Sequence, residues 1–184
     1  MFGSNLYLEL PGLTIHTCRV EKALMPVNFE NKGNVVVGVI SDTHGLLPTT
    51  AVKALKGVDL IIHAGDVGNN EVLDKLQSIA PVVAVRGNMD GGDSLRELPE
   101  TEAVEVADVL LYVIHDIHRL DIAPSESGFD AVIHGHLHCP SVAKTSGVLF
   151  LNPGSAAQPR RNFPASLALL HIRGNSIKTR IVNI

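Results

Sequence analysis

The chain has 184 residues, of which 45% are apolar and 18% are charged, and its formal net charge is −4. This length and apolar content allow one substantial buried core, which excludes an intrinsically disordered protein. With a pI of about 6.1, the chain lacks the basic field that holds a nucleic-acid backbone, so no stable nucleic-acid binding is expected.

Residues 1–33 are interpreted as an N-terminal extension, with a single domain over residues 34–184. Met25 lies shortly before the first strong strand pattern, so residues 1–24 are expected to be an upstream-start extension or an artificial addition. The alternative is an edge hairpin formed by "LYLEL" and "LTIHTCRV", which strand propensity supports equally well.

The first half of the domain alternates strands with helices. Buried strands are predicted at "NVVVGVIS", "VDLIIHAGD" and "PVVAVRGN". Helices are predicted at "PTTAVKALKG", begun by Pro48 and ended by Gly57, and at "NEVLDKLQSI". This βαβαβ order indicates a mostly parallel sheet.

After Gly91 the pattern changes to strands joined by turns. Strands are predicted at "AVEV", "VLLYVIH" and "FDAVIHGH", followed by the pairs "SVAK" with "GVLFLN" and "SLALLHI" with "SIKTRIVNI". This half is expected to be antiparallel or mixed. Packing of the two sheets face to face with helices outside gives an α/β fold of the α+β type, a four-layer α-β-β-α sandwich of two mixed sheets.

Polar residues follow each predicted buried strand, in "VISDTHG", "IIHAGDVG", "AVRGNMDG", "YVIHDIH" and "VIHGHLH". Because ligand sites in open α/β sheets gather at the carboxyl ends of strands, these segments are expected to converge. Their side chains supply carboxylate, imidazole and amide groups without a thiolate, which suits Mn²⁺, Fe²⁺, Zn²⁺, Ni²⁺ or Co²⁺. The candidate ligands are Asp42, His44, Asp66, Asn88, His115, His136 and His138.

This number of ligands fits two ions better than one. Two metals about 3.5–4 Å apart can clamp the attacking and leaving oxygens of a displacement at phosphorus. Asp66, at the end of the second predicted strand, is the natural bridging carboxylate. Taken singly, each motif also fits a turn or an exposed polar edge, because Gly, Asp and Asn favour turns. The ordered series at successive strand ends is what favours a metal centre.

The motifs DTHG, GD, GNxD, H and GHxH, in this order, resemble the calcineurin-like metallophosphoesterase superfamily, and "GNMD" with "NPGSAAQPR" resembles its small YfcE-like phosphodiesterases. The resemblance covers residues 35–184 and implies a metal-bearing β-sandwich. It implies that the first ion is held by Asp42, His44, Asp66 and His138, and the second by Asp66, Asn88, His115 and His136.

Two departures from the family pattern concern catalysis. Met89 stands where many members have a histidine that protonates the leaving oxygen, and a thioether cannot donate a proton. His118 is then a candidate acid, Asn88 is expected to position the phosphoryl group, and acidic leaving groups should react best. The segment "HDIH" replaces the usual "HG", so His118 also competes with His115 as the ligand. Asp116 stands in place of the glycine and is expected to narrow the phosphate pocket or repel anions.

The remaining polar residues of these segments are given supporting roles. His63 and His134 are interpreted as packed or ligand-orienting residues, and Asp90 as a support for a ligand loop. Asn152 in "NPGS" is expected in a tight turn beside the site. Arg160 and Arg161 fit either a phosphate contact or a solvated pair. His16 and His171 are expected to be structural or surface residues.

The predicted function is metal-dependent hydrolysis of a small phosphodiester by a hydroxide held between two divalent ions, with Mn²⁺ as the expected ion. The alternatives are a phosphomonoesterase or cyclic nucleotide phosphodiesterase, and a scaffold of the same fold that binds protein partners. The resemblance implies that homo-oligomers form, although no residue pattern defines an interface.

The expected cellular setting is the cytoplasm. No apolar run reaches the roughly 18–20 residues of a membrane span, and the N-terminus lacks a secretory signal pattern. Cys18 and Cys139 form neither a CxxC pair nor a disulfide framework, which fits a reducing compartment. We therefore expect a soluble protein without membrane contact.

Overall fold

The structure is a computed structural model that describes residues 25–26, 33–92, 94–160 and 162–184. The expected extension or hairpin over residues 1–24 lies outside these residues. Within the described ranges, no helix has both the length and the apolar character needed to cross a bilayer.

Two mixed β-sheets form the body of the protein, which confirms the predicted sandwich class. The strands are β1 (Met25–Pro26), β2 (Val35–Ile40), β3 (Leu60–His63), β4 (Val82–Ala84), β5 (Thr101–Val106), β6 (Val109–Ile114), β7 (Ala131–Ile133), β8 (Ser141–Thr145), β9 (Val148–Asn152), β10 (Ser166–Arg173) and β11 (Ser176–Asn183). The helices are α1 (Thr49–Ala54) and α2 (Asn70–Gln77), with short 3₁₀ helices at Leu95–Glu97 and Ile117–Arg119.

The first sheet has the order β11-β10-β2-β3-β4. Strands β2, β3 and β4 are parallel, as the βαβαβ pattern predicts. The hairpin of β10 and β11 was expected in the sheet formed by the second half of the chain, but it pairs antiparallel with β2. The physical reason is burial: residues 166–170 of β10 are all buried, so this strand requires neighbours on both sides and both faces covered.

The second sheet has the order β1-β5-β6-β7-β9-β8. Parallel pairing of β6 with β7 and of β7 with β9 brings their carboxyl ends to one edge, beside the carboxyl ends of β2 and β3. The third predicted strand is short, because β4 ends at Ala84 and the chain leaves the sheet before Asn88. That departure frees the following residues to form a loop at the site.

The core between the sheets consists of β-branched and leucine side chains that alternate along each strand, including Val37, Val39, Leu111 and Val113. Helices α1 and α2 cover the outer face of the first sheet through a second apolar cluster. The Gly38 position allows close contact with the Leu55 side chain, since a Cβ atom there would overlap it.

The outer face of the second sheet has a different cover. Tyr112, Ile114 and Phe129 form a third apolar cluster under the 3₁₀ helix Ile117–Arg119 and the segment 120–129. This layer contains turns instead of an α-helix, because Pro124 and Gly128 interrupt regular helical structure. The four-layer order is thus retained with one irregular outer layer.

Candidate metal centre

The seven predicted ligands lie at the carboxyl ends of neighbouring strands. Asp42 and His44 follow β2, and Asp66 follows β3. Asn88 lies in the loop after β4, and His115 directly follows β6. His136 and His138 follow β7. The strand ends therefore converge as the sequence predicts.

Five of these residues adopt the left-handed backbone region that non-glycine residues rarely occupy. Their φ angles are 55° for Asp42, 46° for His44, 55° for Asp66, 65° for His136 and 55° for His138. Such conformations cost about 1–3 kcal/mol each and cluster at functional sites, where the surrounding structure holds them. This repeated strain indicates that the loops are shaped to direct side chains at a common point.

The first ligand group is compact. The donor atoms of Asp42, His44, Asp66 and His138 all lie within 4.8 Å of one another. His138 Nε2 is 3.0 Å from Asp42 Oδ1 and 3.4 Å from His44 Nε2. His44 Nε2 is 3.9 Å from Asp66 Oδ2. These are the residues that the family resemblance assigns to one ion.

The second group meets at Asn88 and shares Asp66 with the first. Asn88 Oδ1 lies 2.9 Å from His136 Nδ1 and 3.2 Å from His115 Nε2. Asp66 Oδ2 lies 3.4 Å from His115 Nε2, so one carboxylate oxygen faces a histidine of each group. This position between the two groups is the one a bridging ligand requires.

Hydrogen bonds at the far side of the rings prepare two histidines for metal binding. His138 Nδ1 donates to the Gln158 carbonyl at 2.6 Å, and His115 Nδ1 donates to the Ala64 carbonyl at 2.7 Å. Each ring then directs its Nε2 atom towards the centre, where that atom can bind a cation once deprotonated. Asp42 Oδ1 is a buried carboxylate oxygen without a hydrogen-bond donor in the described part of the chain. This set of lone pairs fits divalent cations.

Two residues outside the ligand set hold the loops in place. Asp90 accepts hydrogen bonds from the backbone N–H groups of Val67, Gly68 and Gly87, at 3.1, 2.9 and 2.8 Å. Ser155 donates to the Asp42 carbonyl at 2.9 Å and accepts from the Gln158 N–H at 2.8 Å. Asp90 was expected to support a loop, whereas the roles of Ser155 and the Gln158 carbonyl are visible only in the structure.

Close backbone approach requires glycine at two positions beside the ligands. A Cβ atom on Gly87 would overlap Asp66, and one on Gly135 would overlap the Ser41 hydroxyl. Ser41 itself donates to Asp42 Oδ2 at 2.7 Å. A glycine next to a predicted ligand was the only sequence signal for this close packing.

The electrostatics of the two carboxylates differ. Burial raises the pKa of Asp42, and the hydrogen bond from Ser41 and the charge of His138 only partly oppose that effect. Burial also raises the pKa of Asp66, but hydrogen bonds from His115 and the Met89 N–H more than offset it, so its pKa lies below the ordinary value. Asp66 is therefore the carboxylate that remains ionised most readily without a bound cation.

His115 is the imidazole partner in that pair. Burial lowers the pKa of His115, but the hydrogen bond and charge of Asp66 outweigh burial and raise it above the ordinary value. His115 is 4% exposed. In contrast, the competing His118 is exposed on the 3₁₀ turn, and it lines neither cavity at the site.

Other predicted residues occupy the surroundings. His63 is fully buried and contacts the Thr43 hydroxyl at 2.9 Å. Asn152 donates to the Gly135 carbonyl at 2.8 Å and lies 3.2 Å from His134 Nδ1. Met89 is 64% exposed. His63 and His134 lie behind the ligand loops, in agreement with the interpretation from the sequence. His171 is partly buried on β10, and His16 and Arg161 lie outside the described residues.

Two cavities adjoin the candidate centre. The metal cavity, of about 570 Å³, is lined by His44, Asp66, Gly68, Asn88, Met89, His136, His138, Gln158, Pro159 and Arg160. The side pocket, of about 330 Å³, is lined by Arg86, Gly87, Asn88, Glu100, Thr101, Tyr112, Ile114, His115, Asp116, Arg119, Asp121 and His136. Asn88 and His136 line both, so they form the wall between them.

Residues 35–175 match the calcineurin-like phosphoesterase superfamily domain. The chain belongs to this superfamily. A probable metallophosphoesterase of Methanocaldococcus jannaschii is 41% identical over 153 residues, which cover 76% of this chain and 78% of the relative. The phosphodiesterase YfcE of Escherichia coli is 29% identical over 154 residues, which cover 71% of this chain and 84% of YfcE.

Solved structures support the same placement. A predicted phosphoesterase from Streptococcus pneumoniae aligns with a TM-score of 0.69 and 26% identity, covering 83% of this chain and 91% of that structure. Zn²⁺-complexed Vps29 from Entamoeba histolytica aligns with a TM-score of 0.66 and 26% identity, covering 80% of this chain and 98% of that structure. The fold and the superfamily are thus established, and the class they indicate is a phosphoester hydrolase.

Proposed function

We propose that the protein is a dinuclear metal-dependent phosphodiesterase that cleaves a small phosphodiester with water, releasing an alcohol and a phosphomonoester. The observation that carries this proposal is the position of Asp66 Oδ2, 3.9 Å from His44 Nε2 and 3.4 Å from His115 Nε2. One carboxylate oxygen therefore faces both ligand groups, as a dinuclear centre requires.

The proposed ligand groups are those described above, with Asp42, His44 and His138 on one side of Asp66 and Asn88, His115 and His136 on the other. Two divalent ions at this place would lower the pKa of water and neutralise charge on the phosphoryl oxygens. Manganese is the proposed ion because the donors are carboxylate, imidazole and amide groups, although ligand type alone also suits Ni²⁺, Co²⁺, Zn²⁺ and Fe²⁺.

The chain's own residues position the phosphoryl group and the ligands. Asn88 forms part of the wall between the two cavities, so a phosphate at the centre lies against its amide. Arg160 lines the metal cavity with an exposed side chain, where it can neutralise a phosphate oxygen. The hydrogen bonds from His138 and His115 to backbone carbonyls fix ring orientation before the substrate arrives.

Among the described residues, every imidazole that lines either cavity belongs to the proposed ligand set, so none is left to protonate the leaving oxygen. Met89 projects into solvent beside the metal cavity, and the predicted acid His118 lies outside both cavities. We therefore propose that esters with acidic leaving alcohols or phenols react fastest, since their oxyanions leave without general-acid help. Diesters of this type should be preferred over monoesters.

The test is hydrolysis of bis(p-nitrophenyl) phosphate by metal-stripped protein, with and without added Mn²⁺. Mn²⁺ should restore activity to the wild type but not to Asp66→Asn, which loses the shared carboxylate. Asp74→Asn, an exposed substitution on α2, is the matched charge control and should behave as the wild type. If folded wild-type protein shows no activity with Mn²⁺, Ni²⁺, Co²⁺ or Zn²⁺, the diesterase proposal is wrong.

A scaffold that binds protein partners is the second candidate function. It is favoured by the structural likeness to Vps29 and by exposed apolar side chains near the ligand loops, such as Leu137 at 38% exposure. The complete donor set favours the hydrolase, since a scaffold has no need of seven converging ligands. If equilibrium dialysis showed two bound ions but the protein hydrolysed neither diesters nor monoesters, the scaffold would become the preferred function.

A further inference from the structure

One shared wall separates the side pocket from the metal cavity. Asn88 and His136 are common to both cavities, so a phosphate held at the ligands can extend one ester arm into each. The metal cavity offers apolar contact through Met89 and Pro159. An aryl arm therefore fits the metal cavity, and a different kind of arm must fit the side pocket.

The charges of the side pocket are unequal. Arg86 is already engaged, since it donates to the Arg96 carbonyl at 3.0 Å and to Glu100 Oε1 at 2.6 Å. Arg119 lies 4.0 Å from the same Glu100 carboxylate. The two guanidinium groups on this wall thus share one carboxylate, so the wall keeps one net positive charge.

Two further carboxylates line the pocket. Asp116 uses Oδ1 to accept from the His118 N–H at 3.0 Å, which leaves Oδ2 available. Asp121 is exposed, and within the described ranges it forms no hydrogen bond or ion pair. With Asp116 and Asp121 included, the carboxylates of the pocket outnumber its guanidinium groups by one, so an ammonium arm would be attracted and an anionic arm disfavoured.

The Tyr112 side chain provides an independent sign of polar recognition. Tyr112 lines the pocket, is 8% exposed, and packs its ring edge-on against Phe129 at a centroid distance of 5.1 Å. Its hydroxyl has no hydrogen-bond partner in the part of the chain that the structure describes. The ring is packed in the apolar cluster while the hydroxyl reaches the pocket, where a polar group of a ligand can pair with it.

We propose that the side pocket binds one arm of the phosphodiester substrate and selects a small hydroxylated or cationic arm over an anionic one, through Tyr112, Asp116 and Asp121. This inference rests on the proposed phosphodiesterase function and names the class of substrate for it. Substrates with a second phosphate or a carboxylate on that arm are disfavoured.

The experiment compares three p-nitrophenyl phosphodiesters whose other arm is 2-aminoethyl, 2-hydroxyethyl or 2-carboxyethyl. The leaving group is the same in all three esters, so differences in kcat/KM report how well the protein accepts the other arm. We expect the aminoethyl ester to exceed the carboxyethyl ester by about tenfold or more, because the two arms carry opposite charges beside Asp116 and Asp121. Asp116→Asn and Asp121→Asn should each reduce that ratio at least about threefold.

Matched variants separate charge from hydrogen bonding. Glu126→Gln removes one exposed charge from the same segment outside the pocket, and its ratio should equal that of the wild type. Tyr112→Phe should lower kcat/KM for the hydroxyethyl ester about threefold to tenfold while the charge preference persists. A wild-type ratio near one, or an unchanged ratio in both aspartate variants, would overturn the proposal.

A binding measurement distinguishes failure of this inference from failure of the proposed function. The corresponding methyl esters, which have a poor leaving group, are titrated by calorimetry into Mn²⁺-loaded wild type and the same variants. Tighter binding of the aminoethyl ester, weakened by Asp121→Asn but not by Glu126→Gln, supports the pocket even in protein that hydrolyses nothing. Equal binding of aminoethyl and carboxyethyl esters overturns it, whether or not bis(p-nitrophenyl) phosphate is cleaved.

Discussion

Asp42 Oδ1 and His138 Nε2 lie 3.0 Å apart, but no hydrogen bond joins them. His138 Nδ1 donates to the Gln158 carbonyl, and this hydrogen bond directs Nε2 towards the carboxylate. Burial raises the pKa of Asp42, because its charge lacks sufficient compensation. A cation bound between the two atoms would be ligated by both and would compensate the buried carboxylate.

Replacement of Asp42 should therefore separate stability from metal binding. Asp42→Asn removes a buried carboxylate whose charge is insufficiently compensated, so we expect metal-free protein to gain about 1 kcal/mol, or about 3 °C in Tm. Metal-dependent hydrolysis should fall at least about a hundredfold, because even outer partners of metal ligands contribute about 10–100-fold. Calorimetry in chelator and assays with Mn²⁺ check the two parts, and a lower Tm in the metal-free variant would contradict the expected gain from removing the buried charge.

Gly87 is expected to be essential for the position of Asp66. A methyl group in Gly87→Ala would overlap the Asp66 backbone and carboxylate, so the loop must shift and separate the two ligand groups. We expect Mn²⁺ affinity to fall about tenfold or more, since even outer supports of metal ligands contribute that much. Gly92→Ala is the control because a Cβ there meets nothing within 4 Å. Equal Mn²⁺ isotherms for both variants would count against this role.

His63 should make stability depend on pH. Burial lowers the pKa of His63 to about 4, whereas the unfolded chain protonates near the ordinary value of about 6.5. The unfolded state therefore binds more protons in this window, and stability is full above pH 6.5 and is lost as pH falls towards 4. From pH 7.5 to 5.0 the loss due to His63 is about 2 kcal/mol.

The measurement is urea unfolding of wild type and His63→Gln at both pH values. Glutamine does not titrate, so the variant should lose about 2 kcal/mol less than the wild type over this range. Because other groups titrate equally in both proteins, the difference isolates His63. Parallel pH dependence in the two proteins would show that His63 is not held neutral by the fold.

Asp90 should contribute to stability through the three backbone N–H groups that it accepts. Its carboxylate is buried, so Asp90→Ala leaves these donors without an acceptor and should cost about 3 kcal/mol or more. The exposed Asp108→Ala should stay within about 0.5 kcal/mol of the wild type. Urea midpoints compare the two, and a similar small effect in both would refute the structural role of Asp90.

Much of the candidate site was predictable because its signals are local. Asp42, Asp66 and His115 each directly follow or lie close behind a buried apolar strand, and the carboxyl ends of parallel strands meet at one edge. Strand alternation and turn residues are properties of short segments of chain, so they can be recognised without knowing which other segments pack against them. The residue types then indicate which ions suit them.

Other features depend on contacts between distant segments and were decided only by the tertiary structure. The burial of β10 places its hairpin beside β2 instead of in the second sheet. The backbone carbonyl of Gln158, which orients His138, has no sequence signal because every residue carries a carbonyl. The side pocket likewise exists only because β6, the Asn88 loop and the segment after Ile117 meet in space. Sequence thus determines which groups are available, and long-range packing determines which of them face one another.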